Sequence, residues 1–321
     1  MIRYSIIMPA YNCELTIVKA IESVLRQKDN NWELIIIDDG SFDSTVSICK
    51  QFVLKDSRIK LFQQKNSGPG SARNNGISNA CGEYLCFLDS DDYWDDDFLL
   101  LISQKLSLEK YDVVFYDTAR EDNNGKTISY SCPSAFKNRS KSDLLILQAA
   151  GTIEWGMTKI VKTSVVKNNN ILFSTDSVGE EALFSFDIIY YSNNVSFIEK
   201  PIYHYINYSS GQHNKGELDP WHEVVANMKK HLYSLKNFND EKYKIAVNSL
   251  ALKALCINVN RICKSNNRRQ AISKIKESIK KYKADYDVFT FNRKYLLKKI
   301  YLVGIALKLK ALSLIYCMAK R

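Results

Sequence analysis

The chain has 321 residues, 45% of them hydrophobic and 25% charged, which describes ordinary soluble globular material, long enough for one large domain or one domain plus an appendage. Eight cysteines are scattered without any C-x-x-C pair, several inside apolar runs such as "YLCFL", and read as reduced cytosolic thiols, which excludes a disulfide framework and a zinc site. The net charge of +10 hides a division: residues 1–220 carry 22 Lys+Arg against 29 Asp+Glu, residues 221–321 carry 23 against 6, and the two parts are expected to meet different partners.

In chain order, the start "MIRYSIIMPAYN" has only a short apolar run before Pro9, too short for a signal peptide or a membrane span, so a cytoplasmic protein is expected. Short β-rich runs then alternate with helical patterns: "YSIIM" and "ELTIVKAIESVLRQ", "WELIIID" and "STVSICKQFVLK", "IKLFQQ" and "SARNNGISNAC", "EYLCFL" and "DDFLLLISQKL", then "DVVFYD". This alternation predicts an α/β fold, a mostly parallel sheet flanked by helices on both faces. Residues 123–140 read as a loop or hairpin. A helix at "SDLLILQAA", a strand at "MTKIVK", a helix over 179–191 and a strand at "IYHYINY" follow. Beyond Leu218 the strand signal stops, and three helices and a basic, apolar last segment, 285–321, are predicted. The expected organisation is a domain over 1–217, with halves of about 1–120 and 121–217, and a helical, basic C-terminal region over 218–321.

In such sheets ligands bind beyond the C-terminal ends of the parallel strands, and there this chain places "PAYN", "DDGS", "NSGPGSARN" and "DSDD". The last is the most demanding. In "CFLDSDDYWDDD", seven of twelve residues are carboxylates or serines directly behind a buried run. Crowded carboxylates repel one another and resist desolvation, so a bound cation is expected among them. Asp95, Asp96 and Asp97 instead suit the first turn of the next helix, whose dipole favours negative charge.

These edge motifs, in this order, resemble glycosyltransferase family 2 on the GT-A fold, through "SIIMPAYN", "LIIIDDGSFDST", "NSGPGSARNNGI", "GEYLCFLDSDD" and "GEEALF", over about two hundred residues that leave the helical tail outside. The resemblance implies that Asp89 and Asp91 form a D-x-D motif, Asp91 binding Mg²⁺ or Mn²⁺ directly and Asp89 and Ser90 reaching the ribose or the metal's surroundings. It places Asp38 and Asp39 on the nucleotide, Asp39 accepting N3–H of a uracil, and Pro9, Ala10 and Tyr11 around the base. Arg73 then lies near the nucleotide and diphosphate. The family's base is the Asp of an E-D pair opening a helix. Here the pair is Glu180 and Glu181, a departure that puts Glu181 at the base position and leaves open which of the two serves. Trp155 is expected under the acceptor sugar, and His204 and His213 over the diphosphate.

The implied activity is metal-dependent, inverting transfer of one sugar from a nucleotide sugar, a UDP-sugar being expected, to a hydroxyl of a growing, lipid-linked cell-surface glycan, as in bacterial capsule and exopolysaccharide transferases. The absence of Q-x-x-R-W argues against processive synthesis. The alternatives are an impaired nucleotide-sugar-binding module and a transferase with a protein or teichoic-acid acceptor. A dinucleotide-binding G-x-G-x-x-G after the first strand and a P-loop G-K-S/T are both missing. The basic tail has no exposed-aromatic pattern of a nucleic-acid binder, and no nucleic-acid partner is expected. Residues 300–319 are long enough to span a bilayer, but Lys308 and Lys310 fall at the middle. The expectation is a peripheral enzyme whose tail rests on anionic lipid at the cytoplasmic face, or else forms a homo-oligomer.

Overall fold

The computed structural model describes residues 3–175, 179–207, 221–235, 241–265 and 268–286. The chain opens with β1 (Tyr4–Ala10), α1 (Ile17–Leu25), β2 (Trp32–Asp38), α2 (Thr45–Lys55), β3 (Ile59–Gln63), α3 (Pro69–Asn79) and β4 (Tyr84–Phe87). These four strands pair in parallel in the order β3-β2-β1-β4. β2 and β4 are buried at every residue, as strands covered on both faces must be, which is why they read as mostly apolar runs, broken in β2 by Glu33, rather than as alternation.

Next come β5 (Tyr93–Trp94), α4 (Phe98–Leu108), β6 (Val113–Glu121), β7 (Thr127–Ser131), α5 (Lys141–Ala149), β8 (Lys159–Lys162), α6 (Thr163–Asn168), α7 (Glu181–Tyr191) and β9 (Val195–Ile206). The sheet continues β4-β8-β6-β9-β5, with β7 as a hairpin partner of β6. The parallel α/β arrangement is borne out on the side of the first four strands. On the other side only β6 and β9 run parallel, and β8, β5 and β7 pair antiparallel. β5 was not legible in the sequence: two residues inside an acidic run gain strand geometry only through pairing with Tyr203 and His204 of β9.

The chain divides into two units, Met1–Leu144 with Glu154–Gly211, and Leu145–Ile153 with Gln212–Arg321. The second contains α8 (Trp221–Ser234), α9 (Glu241–Ser265) and α10 (Arg268–Asp285). Their apolar faces are buried through Val225, Met228, Leu250, Leu255, Ile275 and Tyr282, and the Asn258 amide donates to Ser278 Oγ at 3.0 Å. No helix among the described residues is long and apolar enough to cross a membrane. The segment 300–319, on which the membrane expectation rests, lies outside the described residues, as does His213.

Candidate active site

The site lies at the C-terminal ends of β1, β2 and β4. Arg73, on α3, is its centre. Two glycines set the helix's position. At Gly76 a Cβ would stand 2.4 Å from Ile7 Cγ2 of β1, and at Gly70 one would stand 2.0 Å from the Ser174 carbonyl oxygen. Only glycine permits both approaches, so α3 presses on the sheet and against the segment before α7. Asn74 fixes that segment by exchanging two 2.9 Å hydrogen bonds with the Phe173 backbone. Ser174 N then donates to the Glu180 carbonyl at 3.3 Å. The Glu180–Glu181 pair, more than a hundred residues downstream, is delivered in this way to Arg73.

The Arg73 guanidinium is buried and divides its donors. Nη2 donates to Asp89 Oδ1 at 2.8 Å, Nη1 donates to Glu180 Oε1 at 3.0 Å, and Glu181 Oε1 lies 3.9 Å from Nη1. Burial opposes its charge, but Asp89, Glu181 and Glu180 outweigh that and hold the guanidinium protonated. Nε, also buried, has no hydrogen-bond partner among the described residues. Below stand the rings of Phe87, Phe173 and Phe184, with Phe173 and Phe184 stacked at 3.9 Å. An apolar floor of this kind strengthens the charge interactions above it.

The carboxylates gathered here are not equivalent. Glu180 is buried and tied to Arg73, whereas the Glu181 side chain is 22% exposed. Desolvation, then the negative charge of Glu180, push the Glu181 carboxyl up to about 7 against the pull of Arg73. Asp89 spends one oxygen on Arg73. Asp91 is exposed and, among the described residues, pairs with no cation. Desolvation and the neighbouring charge of Asp89 raise it to about 6, a shift that solvent at this open side chain screens. Asp92 is buried and structural: it accepts from Tyr203 Oη at 2.6 Å and from Ile206 N at 2.9 Å, which ties the acidic turn to β9.

Asp38 ends β2, Asp39 follows it, and both are buried. Asp39 Oδ1 accepts from Ser67 N at 2.9 Å and Gln64 Nε2 at 2.8 Å, and Oδ2 accepts from Gly68 N at 2.8 Å. It thereby holds the loop that opens α3, with one lone-pair direction left on Oδ2. Asp38 accepts from Ser41 N at 3.2 Å and Gln63 Nε2 at 3.4 Å. Ala10 gives its carbonyl to Asp39 N at 2.8 Å, Pro9 and Tyr11 are half-buried, and the Tyr11 ring meets Phe42 edge-on at 5.8 Å. Asn12, in the left-handed region at φ 47°, bonds to Ser41 and Phe42 and closes the loops after β1 and β2 on each other. Ser90 reaches the Cys13 thiol in the same rim.

The family profile described as "Glycosyl transferase family 2" matches residues 5–168, just over half of the chain. The chain belongs to glycosyl transferase family 2. Among curated relatives it is 29% identical over 206 residues to EpsH of Bacillus subtilis (strain 168), which covers 63% of this chain and 60% of EpsH. It is 26% identical over 249 residues to the glycosyltransferase GlyA of Streptococcus pneumoniae serotype 4, covering 73% of this chain and 35% of GlyA. The chain thus spans less than two thirds of the length of these relatives. Its fold is similar to that of S. aureus TarS 1-349 in complex with UDP-GlcNAc, with TM-score 0.65 and 20% identity over 88% of this chain and 92% of that one. It is also similar to that of the mannosyltransferase PcManGT of Pyrobaculum calidifontis in complex with GDP-Man and Mn²⁺, with TM-score 0.56 and 16% identity over 95% and 86%.

In this family 2 chain, Asp89, Arg73, Glu180 and Glu181 stand together. His204 is not part of that group. Its Nδ1 lies 2.8 Å from Glu121 Oε1, its Nε2 lies 2.8 Å from Asp95 Oδ1, and its ring stacks on Tyr93 at 4.4 Å. Asp95, Asp96 and Asp97, expected as helix caps, make no side-chain cap at α4; they pair with His204 and Lys200, with Arg26, and with Lys200. Side chains on other elements pair with them in place of the helix N-terminus. Trp155 is half-buried, and its carbonyl accepts from Lys159 Nζ and Ser185 Oγ, both at 2.8 Å. Asp92, Tyr203 and Lys159 escaped the sequence reading. The only local signal for Lys159 was a lysine set inside the apolar strand "MTKIV".

Proposed function

We propose that this chain is a metal-dependent, inverting transferase that moves a single sugar from a nucleotide sugar, with a UDP-sugar as donor, to a hydroxyl of a growing, lipid-linked glycan. The observation that carries this reading is the division of labour around Arg73. One guanidinium gathers a carboxylate from the acidic turn and one from the head of α7, while the neighbour of each, Asp91 and Glu181, stays open to a ligand.

The residues fit a hard divalent cation. Asp91 and the free oxygen of Asp89 offer two carboxylate ligands, and no group of three ligating side chains stands among the described residues, so water and diphosphate oxygens would complete the set. Bound there, Mg²⁺ or Mn²⁺ would neutralise charge on the departing diphosphate. Asp39, through its remaining lone pair, would accept from the base, between Tyr11 and the backbone of Pro9 and Ala10. Glu181 would take the acceptor hydroxyl's proton as that oxygen bonds to C1 of the sugar, while the C1–O bond to diphosphate breaks and its electron pair leaves with the nucleoside diphosphate. Glu180, paired to Arg73, would keep Glu181 in place and raise its basicity. The acceptor would lie on the Trp155 side. We assign the basic C-terminal region, with its surplus of Lys and Arg, to the anionic cytoplasmic membrane surface where a lipid-linked acceptor is presented.

The test is release of UDP from a panel of UDP-sugars, with Mn²⁺ and with chelator. Turnover of at least one UDP-sugar that disappears on chelation is expected. UDP binding without turnover of any donor would instead favour the binding module, and no nucleotide binding at all would refute the reading.

A further inference from the structure

Lys159 at the start of β8 is a buried ammonium that the chemistry above does not use. No carboxylate of the described residues lies within ion-pair distance of it; Glu181 and Glu154 act on it only from farther away. Desolvation lowers it to about 7, against those two charges. A chain retains an unpaired buried lysine only where its donors are satisfied in another way. Here they are spent on one turn: Nζ donates to the Trp155 carbonyl at 2.8 Å and to the Gly156 carbonyl at 2.8 Å. The same two carbonyls collect further donors, Ser185 Oγ at 2.8 Å on Trp155 and Thr158 N at 2.7 Å on Gly156. Ser185 lies on α7, one turn after Glu181. The cavity beside Lys159, of about 10 Å³, has room for about one water.

We propose that Lys159 is a positioning residue whose ammonium clamps the Trp155–Gly156 turn and, through the carbonyl it shares with Ser185, locks that turn to the helix that carries Glu181. The proposal rests on the reading above for one element, that Trp155 faces the acceptor. It deepens that reading by making the acceptor platform and the base two ends of one rigid piece. Register between them is then set by a single carbonyl, whose two lone pairs take one donor each, and the lysine's bond is the stronger of the two when it is charged. Phe115 of β6, opposite Lys159 in the sheet, packs its ring 5.8 Å from the ammonium.

The test is amide hydrogen exchange of the full chain, read peptide by peptide, for Lys159→Met, Ser185→Ala and the double variant, with UDP·Mn²⁺ affinity measured alongside by calorimetry. Lys159→Met should speed exchange in peptides spanning 153–158 by about tenfold, as loss of a charged donor would. Exchange over 34–40 and 69–79, and UDP·Mn²⁺ affinity, should stay as in the native chain. Ser185→Ala should give a smaller rise in the same peptides, and the double variant a rise different from the product of the two, because both act on one carbonyl. If Lys159→Met does not fold, a rise confined to 153–158 and the head of α7 in Ser185→Ala sustains the clamp, and its absence refutes it. Unchanged exchange over 153–158 in folded Lys159→Met, a uniform rise across the chain, or multiplicative behaviour of the pair would overturn the proposal. A native chain that binds no UDP·Mn²⁺ would sink the functional reading, and the exchange data would then judge the clamp alone.

Discussion

The acidic ends of β2 and β4 look alike in the sequence, "IIIDDGS" and "CFLDSDD", yet the fold treats them in opposite ways. After β2, both carboxylates are buried and answered by the chain's own donors: Asp39 by two backbone amides and Gln64, Asp38 by Ser41 and Gln63. After β4, Asp92 is answered by Tyr203 and Ile206 and Asp89 by Arg73, but Asp91 stands in solvent beside them with no cation. The first region uses charge to build the rim. The second leaves part of its charge without a cation among the described residues, which is the observation the proposed metal site rests on. The glutamates at the head of α7 repeat the contrast side by side, Glu180 held and Glu181 open.

The largest expected effect separates those two glutamates. Glu181→Gln is expected to lower turnover by about 10²- to 10⁴-fold, the usual loss for a general base, with UDP·Mn²⁺ affinity unchanged. Steady-state kinetics of both Gln variants check this; turnover lost in Glu180→Gln and kept in Glu181→Gln would reverse their roles. Next in size is a stability effect after β2. Asp39→Ala strands the amides of Ser67 and Gly68 and should cost about 3 kcal/mol in urea denaturation. Asp91→Asn, by contrast, should change stability by less than about 0.5 kcal/mol, as exposed substitutions do. Equal losses at the two positions would erase the distinction between built-in and reserved charge.

A pH series sharpens the same point. With the Glu181 carboxyl at about 7, turnover should rise as pH increases through about 7 and then level off, since only the carboxylate can accept a proton. Stability should run the other way. The folded chain holds this proton more tightly than the unfolded chain, so the contribution is present below the ordinary glutamate pKa and is lost as pH climbs through about 7. Denaturation of native chain and Glu181→Gln between pH 5 and pH 8 measures it, and the decline should be shallower in the variant, which keeps only the part due to Asp91 and Asp92.

Much of this arrangement was readable from the sequence because it is local. β1, β2 and β4 are largely apolar runs that end in turn-forming or charged text, and α3 opens on Gly68 and Pro69 and carries Gly70 and Gly76 where it approaches its neighbours. What could not be read is nonlocal. Nothing near Arg73 says that its two ends will find Asp89 and Glu180, 16 and 107 residues away. Nothing around His204 says that Glu121 and Asp95 will take both ring nitrogens, and Tyr93–Trp94 becomes a strand only because β9 passes alongside. Polar side chains choose partners by tertiary geometry, and the choice between a helix cap and an ion pair for Asp97 turned on where Lys200 falls.

The central claim is that Asp91 is charge held in reserve for a metal–nucleotide complex. Titration calorimetry of UDP into the native chain and into Asp91→Asn, each with and without Mn²⁺, tests it directly. The account predicts metal-dependent binding by the native chain and an affinity at least about tenfold weaker in the variant, which is about 1.4 kcal/mol or more. UDP·Mn²⁺ affinity equal in the two proteins would contradict it.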